Sequence, residues 1–258
     1  MKEKKPVNKK LRNILFWFFI SIFALGVIYL GYFFLEGYLS GKVVETPDIN
    51  TSSVASKEPP LRKNPINFEK LWETNTDICA YIQVPGTVID YPVLQPSAEK
   101  DDDYYLHRDV DKKYKFAGSI YFEKKNSKYF TDRNTVIYGH NMLNGTMFQN
   151  LHKFRDPQFF NDNQYIYVYI PGHILTYRIV AAYKYDSRHL LNTIDYSDNT
   201  VFEDYLNYIK NPTSMMVNKR EVDMDLDSKI LTLSTCIGDE VDYRYLVQGV
   251  LVKDEKTK

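Results

Sequence analysis

The stretch KILTLSTCIGDEVDYRYLVQGVLV (residues 229–252) joins two β-rich runs across a short acidic loop. ILTLSTC alternates β-branched and aliphatic residues and stops on a thiol. RYLVQGVLV opens on an arginine and continues as a second apolar run. Both have the composition and period of strands. If they are antiparallel neighbours, the loop IGDEVDY carries the Arg244 guanidinium back beside Cys236. A thiol becomes a useful nucleophile when a nearby cation or histidine stabilises its thiolate. Arginine stays protonated, so Arg244 can stabilise an anion but cannot act as a base.

Moving outward, six more short β-rich runs precede this hairpin: ICAYIQV, TVIDYPVL, GSIYFE, NTVIYG, QYIYVYI and ILTYRIVAAYKY, separated by Pro, Gly, Asn or Asp. Eight strands with few helices predict a mostly β domain, and a closed barrel is preferred over a sandwich because closure removes exposed edges. Helical spacing appears in NFEKLWETN (Phe68, Leu71, Trp72), in GTMFQNLHKF (Met147, Phe148, Leu151, Phe154) and in DNTVFEDYLNYIKN, where an Asp cap precedes Val201, Phe202, Tyr205, Leu206 and Ile209.

The chain has 258 residues, 44% of them hydrophobic, and zero formal net charge, which describes a globular protein and argues against a nucleic-acid binder. Its charge is uneven. The first twelve residues carry six basic groups against one acid, and residues 14–35 carry none. That run spans the roughly 30 Å hydrocarbon core of a bilayer. It is longer than a signal-peptide core and is followed by no convincing Ala-x-Ala site. The expected organisation is a cytoplasmic basic segment (1–13), a transmembrane anchor (14–35), an extracellular linker (36–65) and a folded domain (66–258), with the basic cluster inside.

Two cysteines rule out a disulfide scaffold. Cys236 reads as a nucleophile, as a buried packing residue, or as one half of a Cys79–Cys236 disulfide; Cys79, with no adjacent basic group, reads as packing. Acyl transfer also needs a proton donor for the leaving amine. Among His107, His140, His152, His173 and His189, His140 leads, because it directly follows a strand as Cys236 ends one. His152 falls near an apolar stripe. DDDYY (101–105) reads as a solvated loop rather than a calcium site, the tyrosines of QYIYVYI as strand packing, and KDEKTK (253–258) as a solvated terminus.

TLSTC followed by Arg244, with NTVIYGHNMLNGTMFQNL (134–151) and YYLHRDV (104–110), resembles the sortases, cysteine transpeptidases of Gram-positive cell surfaces, and in particular their class B. The similarity runs over about residues 66–252. It implies an eight-stranded barrel with Cys236 as nucleophile, His140 as general acid and base, Arg244 as oxyanion stabiliser and Ser234 as a substrate contact. It further implies that the helix near Asp198 lies in a substrate-reading connection between strands six and seven. No cofactor or metal is expected. The implied partners are surface proteins bearing a C-terminal sorting motif and a peptidoglycan precursor amine. A tethered cysteine peptidase and a non-catalytic binding barrel are the competing readings.

Overall fold

Strands β1 (Ile78–Gln83), β2 (Asp90–Leu94), β3 (Ile120–Tyr121), β4 (Asn134–Tyr138), β5 (Tyr165–Ile170) and β6 (His173–Asp186) form from the six upstream runs. A short β7 (Val217–Lys219) intervenes before β8 (Ile230–Ile237) and β9 (Glu240–Lys256), the two runs of the hairpin. The computed structural model describes residues 61–214, 216–238 and 240–258, with Lys10, Trp17, Ile20 and residues 24–29, 31 and 32, all of these last helical. Contacts divide the chain into Met1–Lys42 and Val43–Lys258, and the account below concerns the second unit. Among the described residues no helix is long and apolar enough to cross a membrane; the anchor expected over 14–35 falls largely outside them.

The strands pair in the order β5-β1-β2-β3-β4-β8-β9-β6, and β6 returns to β5, so eight strands close a barrel. The pairs β2–β3 and β4–β8 are parallel. The long β6 has room for two partners along one edge: β5 takes its first half, up to Arg178, and β7 pairs with Ala181–Tyr183 beyond it. β7 escaped the sequence reading because three residues, VNK, carry no usable alternation.

Alternation along each strand separates residues inside the barrel from residues on its outer wall. Leu231, Leu233 and Ile237 of β8 point into the barrel with Ile82, Ile137, Val168 and Val247. Ile230 of β8, with Val136, Leu246 and Val250, points outward against a covering helix. That helix is α4 (Asn199–Lys210), one of four after α1 (Phe68–Thr74), α2 (Pro157–Asp162) and α3 (Leu190–Thr193). Asp198 caps α4 by accepting from the amides of Thr200 and Val201. Phe202, Tyr205, Leu206 and Ile209 are buried, while Val201, grouped with them by spacing, is 38% exposed. Burying each large apolar side chain contributes about 1.5–3 kcal/mol, so this face holds α4 on the barrel wall. Both faces of β8 are therefore covered until Cys236, the first exposed residue of the strand.

The tyrosines of QYIYVYI sit on the outer side of β5, where Tyr169 packs against the cluster around Phe68 and Leu71, while Ile166, Val168 and Ile170 are buried. Two expectations need correction. GTMFQNLHKF yields a 3-10 helix that begins only at Gln149 (Gln149–Arg155), with Met147, Phe148, Leu151 and Phe154 buried. KDEKTK is not a free tail, since β9 runs to Lys256 and the Thr257 amide donates to the Gly172 carbonyl at 2.7 Å.

Candidate active site

Cys236 and Arg244 are directly opposed partners in the β8–β9 ladder, as the hairpin reading required. Beyond that pair the register breaks, Ile237 facing Glu240. Cys236 and Ser234 share the outward side of β8, so the site lies on the barrel wall rather than inside it. Both cysteines are free. The Cys79 thiol is packed against the inner core, and burial pushes its pKa up to about 12.

His140 arrives through the parallel pair β4–β8. Tyr138 lies beside Ser234, the Gly139 amide donates to the Ser234 carbonyl at 3.2 Å, and His140 follows at once, lining the same pocket as Cys236. Gly139 is required there, because a Cβ would meet the Phe148 ring at 2.6 Å and Ile120 at 2.5 Å. His140 Nε2–H donates to the Leu106 carbonyl at 2.9 Å. A carbonyl only accepts, so Nε2 carries the proton and the neutral ring keeps its lone pair on Nδ1, which has no partner among the described residues. The ring stacks on His107 (centroids 5.2 Å apart) and on Phe116 (5.9 Å). Burial holds its pKa below the ordinary value of 6.5, the bond to Leu106 opposes this, and His107 adds to the lowering.

His140, Ser234, Cys236 and Arg244 line one pocket of about 250 Å³, walled by Leu106 and by residues 185–190, at the end of β6 and just beyond it. Arg244 Nη1 donates to the carbonyls of Val241 and Tyr243, both at 2.9 Å, which fixes the guanidinium and leaves Nε and Nη2 without partners among the described residues. Ser234 is buried at the pocket edge. The arrangement offers a thiol, an imidazole with one free nitrogen and an anchored cation around one small cavity. No metal-ligating cluster occurs among the described residues.

The remaining histidines separate clearly. His173 pairs with Asp254 at 2.6 Å and does not line the pocket. His189 lines it and is tied to Glu123 at 2.7 Å. His107 stacks on His140, and His152 donates from Nε2 to the main-chain carbonyl of Cys236 at 3.0 Å. Leu106 could not be found from sequence, because it acts through a carbonyl that every residue possesses. A larger cavity of about 640 Å³ contains neither thiol nor imidazole. Its cations are already engaged: Lys125 holds the Leu191 carbonyl and Asn192, and Arg133 holds the Tyr196 carbonyl and Asn199.

The sequence profile of the Sortase domain family matches residues 82–252. A curated relative, Sortase B of Listeria monocytogenes, is 33% identical over 250 residues, covering 89% of this chain and 96% of the relative. The crystal structure of Clostridium perfringens sortase B superposes with a TM-score of 0.65 at 35% identity, covering 72% of this chain and 100% of that one. A Staphylococcus aureus sortase B–substrate complex gives the same TM-score at 26% identity, over 74% of this chain and 87% of that one.

Proposed function

This chain belongs to the sortase family, as a class B cysteine transpeptidase, and from that premise we propose that Cys236, His140 and Arg244 perform its two-step acyl transfer. The Cys236 thiol passes its proton to the free Nδ1 of His140, and the resulting thiolate attacks a peptide carbonyl within the sorting motif of a surface protein, forming the C–S bond. The oxyanion that develops is met by the free donors of Arg244. As the C–N bond breaks, the leaving amine takes its proton from His140 Nδ1. A peptidoglycan precursor amine then attacks the thioester, returns a proton to His140 and expels the thiolate, so the enzyme regenerates with no net gain or loss of protons. Ser234, at the pocket edge, contacts the bound peptide.

The supporting observation is the register itself: Cys236 opposite Arg244 across one ladder, with His140 two residues past the end of β4 on the other side, around a single pocket. The reading extends to location. The uncharged run 14–35 anchors the chain in the membrane, residues 1–13 remain cytoplasmic, 36–65 tether, and the domain from 66 works outside, where anchor and substrate share one membrane face.

The test is cleavage of a library of peptides that begin with Asn-Pro, the sorting-motif start that the resemblance to class B sortases implies, with and without an added amine nucleophile. Wild type should yield an amide with the added amine, and Cys236→Ala should give no cleavage while remaining folded. Cleavage by the alanine variant would remove Cys236 from the mechanism. A product that is solely the hydrolysed acid would make the chain a peptidase.

A further inference from the structure

We propose that His152 is a positioning residue for the nucleophile, holding the main chain of Cys236 through its carbonyl while His140 serves the thiol. The inference rests on the transpeptidase reading above and deepens it.

Successive carbonyls of a strand point to alternate edges. The Ser234 carbonyl points toward β4, where it accepts from the Gly139 amide; the next carbonyl on that edge belongs to Cys236. By then β4 has ended. The chain turns away after Gly139, with Asn141 bridging to Met147 and the Phe148 amide donating to the His140 carbonyl. It comes back as the 3-10 helix Gln149–Arg155, and His152 of that helix donates from Nε2 to the Cys236 carbonyl at 3.0 Å. The imidazole thus stands where a continued β4 would have supplied an amide. On the other edge the β8–β9 register breaks immediately after Cys236. The β4 ladder therefore ends before the residue that must present its sulfur, the β9 ladder shifts just after it, and His152 replaces the first.

The ring is itself held. It packs against Tyr245, with centroids 5.1 Å apart, and the Arg155 guanidinium lies over the same tyrosine. Burial, with Arg155, pushes the His152 pKa down to about 4, so at neutral pH the ring is uncharged and its single proton sits on the nitrogen facing the carbonyl. One excursion, residues 140–155, thereby delivers both histidines to one cysteine.

The experiment uses the full chain and the peptide that wild type cleaves fastest from the Asn-Pro library. His152→Gln keeps an N–H of suitable reach, and His152→Met has similar length with no donor. The Gln variant should retain kcat within about threefold of wild type, while Met loses about tenfold with KM unchanged, the scale expected for losing one hydrogen bond that orients a reacting group. Thermal melts establish that both variants are folded at the assay temperature. Equal kcat for Gln and Met would overturn the role of His152 and leave the transpeptidase reading standing. Continued cleavage by Cys236→Ala, or no cleavage by wild type, would overturn that reading and this inference with it.

Discussion

A Cβ added to Gly118 would lie 2.1 Å from the carbonyl oxygen of Leu106, the same oxygen that accepts from His140 Nε2. Gly118 also sits at φ +57°, where an L side chain costs about 1–2 kcal/mol. Gly118→Ala should therefore displace the carbonyl and release the imidazole: kcat in peptide cleavage should fall at least about tenfold, with a lower melting temperature. Unchanged kcat would mean that Leu106 does not orient His140. His107 makes a second test. It is one of the causes holding the His140 pKa below 6.5, so His107→Gln should move the His140 titration upward, as read by NMR or by the kcat/KM profile. Acid stability follows with a definite sign. His140 and His152 both have folded values below their unfolded ones, so the unfolded chain takes up protons first and stability falls as pH drops from about 6.5 toward 4. At this scale Cys236 and Arg244 were legible, because a thiol and a cation eight residues apart around a turn are chemically distinctive. His152 was not, since an imidazole beside Leu151 looks the same whether or not its nitrogen reaches a distant carbonyl.

Among elements, α4 and β8 were readable and their connection was not. The Asp198 cap and the stripe from Phe202 to Ile209 follow from period and capping chemistry; Asp198→Ala should lower stability by about 1 kcal/mol in denaturant unfolding. What α4 rests upon is a buried polar chain. Gln248 donates to the Tyr205 hydroxyl at 2.7 Å and to Thr232 at 2.8 Å, and accepts from Tyr183 at 2.6 Å. Thr232 donates in turn to Asn134, which reaches Tyr196. Gln248→Leu would strand the Tyr183 hydroxyl inside, a loss of about 1–3 kcal/mol. A leucine variant as stable as wild type would show that the tyrosine finds another partner. Nothing in the linear pattern announces this chain, because Thr232 and Gln248 look like polar interruptions of apolar strands until the outward side of the barrel is seen to be covered.

In the barrel unit, residues 62–64 are tied to the C-terminal strand and to β5. Arg62 bridges Thr257, its carbonyl accepts from the Lys258 amide at 3.0 Å, and Asn64 donates to the Ile170 carbonyl at 2.8 Å. A chain beginning at residue 66, the boundary that composition suggested, should thus melt several degrees below one beginning at 61, about 2–4 °C for each kcal/mol lost. Equal melting temperatures would make these contacts dispensable. Eight strands, their approximate ends and two of the helices could be read from residue type and period, and the Cys236–Arg244 pairing from the hairpin, because alternation, capping and turn geometry are local or nearly so; His140 was only the leading histidine until the sortase resemblance gave it a role. Barrel closure through β5 and β6, the outward placement of the site, the Leu106 carbonyl behind His140 and the imidazole behind Cys236 came from folding alone. The two histidine contacts join segments 34 and 84 residues apart through main-chain carbonyls, and such contacts leave no mark on the order of side chains along the chain.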